Sequence, residues 1–251
     1  MARSSSGESL LTRAVRIFEA FGPEATALTV TEIGRRARLP RATAGRLVEE
    51  LVQHGLLRRD GRRRVRIGVR FWELAQRASP TLTLREAAMP FMADLHAVIG
   101  HSTQLGVLDG AEVLFVERLT APGAVVNITR IAGRLPLHAS STGLVLLAHA
   151  PADFQERVLG GPLPAYTGHT LTDARVLRAT LAEIRRCGHA LCAGHLHEDA
   201  AGVAVPVRGP GGRVAAALGC VVPNDDTAHS PIRPLQLAAR AVERTLAGPT
   251  R

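Results

Sequence analysis

Leu10, Leu11, Val15, Ile17, Phe18 and Phe21 recur with the spacing of one helix face, and Gly22-Pro23 ends that helix. Thr29-Val30-Thr31-Glu32 has the form of a capping box, in which the Thr29 hydroxyl accepts from the Glu32 backbone N–H and the Glu32 carboxylate reaches back. A short helix to about Arg38 follows. Leu39-Pro40 breaks it and opens a third helix, Arg41 to His54, which Gly55 stops in a left-handed conformation. From Leu56 to Arg59 the period changes to two. Asp60-Gly61 is a hairpin turn, and Val65-Arg66-Ile67 reads as the return strand. Three helices followed by a hairpin predict a winged helix-turn-helix.

Val69 to Ser79 is a further amphipathic helix carrying Phe71, Trp72, Leu74 and Ala75, and its apolar face predicts contact with a partner helix. Thr81 or Thr83 then caps a helix from Leu84 to Ile99. Beyond it, strands are expected at Ser102–Leu108, Glu112–Leu119, Val125–Ile131, Ala190–His195, Gly202–Arg208 and Val214–Val222. Helices are expected at Ser141–Ala150, Ala152–Leu159, Asp173–Cys187 and Pro234–Leu246. Asp109-Gly110 and Gly209-Pro210-Gly211-Gly212 are hairpin turns. The class is α+β, a largely antiparallel sheet with helices packed on it. The expected organisation is a DNA-binding domain over 1–68, a linker helix over 69–83 and a second domain over 84–251. No internal repeat or low-complexity segment interrupts it.

Composition sharpens this picture. The formal charge is +9, and residues 1–79 hold 16 Arg against 8 acids while residues 80–251 hold 15 Arg against 14 acids. Nearly all the excess therefore lies in the first third, where it would attract a polyanion by counterion release. An all-arginine complement raises the isoelectric point but does not create the asymmetry. No apolar run approaches the roughly 20 residues of a membrane span. The N-terminus lacks an apolar signal core, and three cysteines make no disulfide framework, so a cytoplasmic location is expected.

In the third helix Leu47, Val48, Leu51 and Val52 form the inward stripe. Arg41, Ala42, Thr43 and Arg46 lie off it, in the turn that a major groove would meet, with Thr31 on the preceding helix. Arginine forks to guanine O6 and N7, and threonine bonds a phosphate or a base edge. Arg62, Arg63 and Arg64 in the wing suit phosphate or minor-groove contact. The alternative is a small helical core with solvated arginines.

The chain resembles the IclR family of bacterial regulators over nearly its whole length. The resemblance rests on Leu39-Pro40-Arg41-Ala42-Thr43-Ala44-Gly45-Arg46-Leu47, His54-Gly55-Leu56-Leu57 and Ile67-Gly68. It continues in Gly133-Arg134-Leu135-Pro136-Leu137-His138-Ala139-Ser140, Thr142-Gly143, Leu147-Ala148, Gly188, Ala204-Val205-Pro206-Val207 and Gly212-Arg213-Val214-Ala215-Ala216-Ala217-Leu218. It implies a GAF-like α/β effector-binding domain behind the winged helix-turn-helix and a homodimer that can pair into a dimer of dimers. It also implies binding to a palindromic double-stranded operator, with repression commoner than activation. Effectors in the family are small organic acids or aromatic compounds. Here Gly143 precedes Leu144-Val145 where the family often has Lys, and Leu191-Cys192 and Gly202 stand where it often has an acid and a Cys. Leu218-Gly219-Cys220-Val221 replaces a strand that often supplies serines. These departures point to an effector less acidic or more hydrophobic than a small keto acid.

Ser140-Ser141-Thr142-Gly143 opens a helix, and its free N–H groups and hydroxyls form either a carboxylate-binding corner or an ordinary cap. His138 is a pocket wall or a satisfied core histidine. The expected effector set is Arg130, His138, Ser140, Ser141, Thr142, Cys192, His195, Gly202, Gly219 and Cys220. Cys192, His195, His197 and Glu198 have ligand chemistry suited to zinc, but a continuous strand would put Cys192 on one face and the histidines on the other. No metal, cofactor or catalytic residue is therefore expected. No G-x-S-x-G, Walker A, dinucleotide fingerprint or H-E-x-x-H occurs. A GAF-like redox or metal-binding enzyme or sensor acting through Cys192 or Cys220 is the alternative from another class. A DNA binder that needs no effector is a third.

Overall fold

The switch of period from 3.6 to two along the first third becomes a three-helix unit with a two-stranded hairpin. The computed structural model describes residues 8–78, 80–123 and 131–248. The chain divides into two compact units, Met1–Pro80 and Thr81–Arg251. In the first unit α1 (Leu10–Glu19), α2 (Val30–Arg36) and α3 (Arg41–Gln53) precede β1 (Leu57–Arg59), β2 (Val65–Ile67) and α4 (Arg70–Ala78). Ile17, Leu28, Ile33, Leu47, Val48, Leu51, Leu57 and Val65 form its core. The capping box of α2 is made in both directions: the Thr29 N–H donates to Glu32 Oε2 at 2.7 Å, and the Glu32 N–H donates to Thr29 Oγ1 at 3.2 Å. The α2–α3 turn is close because Gly34 has no side chain; a Cβ there would lie 3.2 Å from the Leu39 carbonyl oxygen.

α3 stops at Gly55, whose φ of 70° is unstrained only without a Cβ, and the Leu56 N–H returns to the Leu51 carbonyl at 2.9 Å. β1 and β2 pair antiparallel, Leu57 with Ile67 and Arg59 with Val65. Gly68 then passes directly over Gly55. A Cβ at Gly68 would lie 1.9 Å from the Gly55 carbonyl oxygen, so only glycine fits where the hairpin rejoins the end of α3.

The second unit contains α5 (Pro80–Ile99), β3 (Ser102–Asp109), β4 (Glu112–Leu119), β5 (Arg134–Pro136), α6 (Ser141–Ala148), α7 (Ala152–Leu159), α8 (Ala174–Cys187), β6 (Ala190–Ala193), β7 (Ala200–Arg208), β8 (Val214–Pro223) and α9 (Ile232–Ala247). The strands form one antiparallel sheet in the order β5-β4-β3-β8-β7-β6. Pro206 is tolerated within β7 because β6 pairs only with Ala201–Ala204, which leaves that edge open beside the proline.

Alternation gives the sheet two buried faces. Leu105, Val203, Val205, Leu218 and Cys220 pack with Ala88, Met92 and Leu95 of α5 and Leu235, Ala239 and Val242 of α9. On that side Arg85 Nε donates to the buried Glu117 carboxylate at 2.6 Å. The other face carries Phe115, Ala190, Cys192, Ala204 and Ala217 against α6 and α8. All eight residues of α6 are buried. A lysine after Gly143 would therefore enter this core, which gives the apolar Leu144-Val145 its physical reason.

The expected strand Val125–Ile131 lies outside the described residues except for Ile131, which sits in a turn. β5 is not among the expected strands, since three residues define no period. β6 ends at Ala193, two residues before the expected His195, because Gly194 turns at φ 72°.

Candidate functional site

The first unit presents its cations around the start of α3. Thr31, Arg41, Ala42 and Arg46 are exposed and Thr43 is half-buried, while Ala44, Leu47, Val48 and Leu51 turn inward. The sequence-predicted α3 residues thus share the outer side of one helix turn. Arg46 stands 4.0 Å from Glu50, an exposed i,i+4 pair that weakly orients its guanidinium.

The wing arginines divide by what they touch. Asp60 Oδ1 accepts the backbone N–H groups of Arg62 and Arg64, each at 3.0 Å, and Asp60 Oδ2 accepts from Arg66 Nε at 3.2 Å. Burial raises the Asp60 carboxyl, but these donors outweigh it and hold the group below the ordinary carboxylate value. Arg64 donates to the Ala27 carbonyl, so its side chain ties the wing to the body of the unit. Arg62 and Arg63 remain exposed at the tip, where φ of Arg63 is positive at 58°. Arg64 and Arg66 thus carry side-chain bonds within the unit, while Arg58, Arg62 and Arg63 are exposed on the hairpin.

In the second unit the effector set centres on the start of α6. Ser140 is its N-cap: the hydroxyl accepts the Gly143 N–H at 3.1 Å and donates to the Pro136 carbonyl at 3.0 Å. The next two residues lie against glycines of the sheet. A Cβ at Gly202 would lie 2.8 Å from Ser141 Oγ, and one at Gly219 would lie 3.2 Å from Thr142 Oγ1. A Cβ at Gly106 would lie 2.7 Å from Thr142 Cγ2. Glycines on β7, β8 and β3 therefore let the helix start settle onto the strands. Thr142 is fully buried and its hydroxyl has no partner. An unpartnered hydroxyl beside a helix N-terminus has the donor chemistry that suits an anionic ligand.

Cys192 pairs with Gly202 across β6 and β7 and so shares this face. His138 is buried and its Nε2–H donates to the Pro164 carbonyl at 2.9 Å, the satisfied core arrangement. His195 follows the Gly194 turn. Burial lowers its pKa, and the neighbouring His169 and His138 lower it further; its Nδ1 is buried without a partner. Arg130 lies outside the described residues.

The structure does not bring Cys220 to the others. It pairs with Thr103 and Val203 and belongs to the α5–α9 core, on the face opposite Gly219. Burial pushes the thiols of Cys192 and Cys220 up to about 12 each, so neither supplies thiolate near neutral pH. Among the described residues no three His, Cys, Asp or Glu side chains converge as a metal site. His195 and His197 lie beyond β6, so strand alternation does not govern their orientation.

Sequence reasoning missed Ser102. It is fully buried, its Oγ has no partner, and it shares the α6 face with Gln104. The signal was Ser102-Thr103-Gln104, three polar residues at the start of a strand that is buried from its first residue.

A concavity of about 660 Å³ lies between α7 and Pro136–His138, lined by Leu137, His138, Phe154, Arg157, Val158 and Leu163. Arg157 on its wall is held by Asp153 at 2.8 Å and lies over the Phe154 ring.

Comparison with known proteins matches both units. The IclR helix-turn-helix domain model matches residues 10–61, and the model of the bacterial transcriptional regulator IclR C-terminal domain matches residues 76–244. The HTH-type transcriptional regulator XynR of Escherichia coli is 31% identical over 208 residues, 82% of each chain. An IclR homolog from Microbacterium hydrocarbonoxydans, crystallised in complex with 4-hydroxybenzoate, is 45% identical and superposes with a TM-score of 0.90, covering 95% of this chain and 99% of that one. A putative transcriptional regulator from Rhodococcus sp. RHA1 is 29% identical with a TM-score of 0.80, covering 94% and 97%.

Proposed function

This chain belongs to the IclR family of bacterial transcriptional regulators, and from that premise we propose that it is a repressor whose operator affinity is set by an aromatic carboxylate. The observation that carries the effector class is the unpartnered, fully buried Thr142 hydroxyl at the start of α6, over Gly202 and Gly219. The N–H groups of the first turn of α6 receive the carboxylate. The glycines of β7, β8 and β3 set no bulky side chain against the helix start, and the neutral Cys192 adds no charge to repel an anion. The 4-hydroxybenzoate bound by the Microbacterium protein supports the same class.

In this reading Arg41 and Arg46 reach base edges, Thr31 and Thr43 contact the backbone or a base, and Arg62 and Arg63 contact phosphates. The protein acts in the cytoplasm as a homodimer that can pair further, on a palindromic operator with half-sites about 34 Å apart. Dimerisation is supported by a surface of exposed apolar residues on α1 and α4, including Leu11 and Trp72, which the Phe18–Phe71 ring contact at 4.6 Å joins. Residues 69–83 serve as the linker, built from α4 and the first turn of α5; because α5 already begins at Pro80, Thr81 and Thr83 lie inside it rather than capping a helix at Leu84 as expected. The effector acts by binding one dimer geometry better than the other.

Fluorescence anisotropy on DNA from upstream of the protein's own gene, with unrelated DNA as control, tests this across a salt series. Selective, salt-dependent binding that weakens on adding 4-hydroxybenzoate or benzoate is the expected result. Equal binding to both DNAs at every salt concentration, with or without the acids, would overturn it.

A further inference from the structure

The glycine floor under α6 accounts for one end of the effector site, but a second fully buried hydroxyl on the same face has no protein partner. Ser102 Oγ and Thr142 Oγ1 are both unpartnered, and both residues are 0% exposed. Buried hydroxyls without protein partners cost free energy, so two of them on one sheet face mark where the polar atoms of a ligand would be received at least cost. Register relates them. Gly219, which lies under Thr142, pairs with Gln104, and Ser102 is two residues along the same strand, paired with Val221. Thr142 also lies over Gly106, so Ser102 stands one to two same-face steps along the strand from it, about 7–13 Å, a span that a para-substituted benzene ring with a hydrogen bond at each end can bridge. The α6 core covers Phe115, Ala204 and Ala217, so Ser102 lies on the strip of sheet beyond the start of the helix.

We infer that Ser102 is the second anchor of the effector. Its hydroxyl hydrogen-bonds the oxygen substituent at the far end of an aromatic acid whose carboxylate sits at the start of α6. The inference rests on the aromatic-carboxylate reading above and adds that the ligand carries a para-hydroxyl group, which Ser102 distinguishes from hydrogen. Thr103 Oγ1 is also unpartnered, but Thr103 pairs with Cys220 and Leu119 on the opposite face, where a ligand seated at Gly219 cannot reach it. Position on the α6 face, not an unpartnered hydroxyl alone, identifies Ser102.

Isothermal titration of the full-length protein with benzoate and with 4-hydroxybenzoate tests this in the native chain, Ser102→Ala and Ser102→Cys. The native protein should bind 4-hydroxybenzoate at least about tenfold more tightly than benzoate, the net worth of one hydrogen bond. Both variants should lose that preference by weakening 4-hydroxybenzoate alone. The ligand-free Ser102→Ala melting temperature should not fall, because the hydroxyl it removes has no partner in the protein. Retained preference in the variants, or an equal loss for both acids, would overturn the assignment. If the native protein binds both acids equally, this inference fails while the aromatic reading stands. If it binds neither, both fail.

Discussion

Ser141 Oγ lies where only a glycine at position 202 leaves it room: a Cβ on Gly202 would approach to 2.8 Å. Because the obstructed atom is a rotatable hydroxyl, Gly202→Ala should fold, turn that hydroxyl away and lower effector affinity roughly tenfold, on the order of 1.4 kcal/mol. Titration calorimetry alongside thermal melting separates this from a loss of fold. Unchanged affinity would remove Ser141 from the site.

Gly68→Ala should act on the first unit alone. The obstructing atom is the Gly55 backbone carbonyl oxygen, which cannot rotate aside. The expected cost is on the order of 3 kcal/mol or more, at the upper end of what single substitutions cost. Calorimetry should show operator binding lost while effector binding persists.

The wing arginines should separate in a salt titration. Arg62→Ala and Arg63→Ala should each flatten the slope of log K against log salt by about 0.9 without changing sequence preference. Arg64→Ala should instead lower the melting temperature, since it removes the tie to the Ala27 carbonyl. Arg41→Ala or Arg46→Ala should cost about 1–3 kcal/mol at the operator and relax specificity at one base pair. Anisotropy on single-substitution operators measures each of these.

Thiol chemistry offers a check that does not depend on DNA. Cys192 and Cys220 are buried with thiols pushed up to about 12, whereas Cys187 is half-buried. A disulfide reagent should label Cys187 in the native protein and the other two only after denaturation. The double variant Cys192→Ser, Cys220→Ser should keep its effector response, and loss of that response through oxidation of either thiol would revive the redox alternative.

Acid should destabilise the second unit before its carboxylates titrate. His195 and His149 are lowered by burial first, His195 further by His169 and His138, and His149 by Arg208 and Arg185 against a bond to the Val145 carbonyl that raises it. A histidine depressed in the folded state binds fewer protons there than in the unfolded chain. Stability is therefore full above the ordinary 6.5 and falls as pH drops from 6.5 through the folded values. Chemical denaturation between pH 7.5 and 5 should show this decline, and His195→Gln should reduce it.

Much of the fold is legible in the sequence because local signals agree with tertiary ones. Thr29 and Glu32 cap α2, Gly55 stops α3, and both hairpin turns of the second unit fall where glycine places them. Sheet face is less legible. Gly219 and Cys220 are adjacent on one strand and cannot point the same way, yet the pattern of residue types suggests both for one pocket; alternation alone excludes one of them. Ser102 escapes for a different reason. The run Ser102-Thr103-Gln104 marks polar residues at the start of a strand, but that the strand is buried from its first residue and that the Ser102 hydroxyl has no protein partner are tertiary facts.

The two faces of the sheet also bear on how such a regulator changes over generations. The face toward α5 and α9 carries most of the strands' larger aliphatic side chains, while the other holds the glycines under α6 and the Ser102 hydroxyl. Substitutions that retune the ligand can accumulate on the second face while the first keeps the domain folded. In the proposed reading, a lineage can therefore change effector through the glycines and Ser102 while the α5–α9 core stays intact.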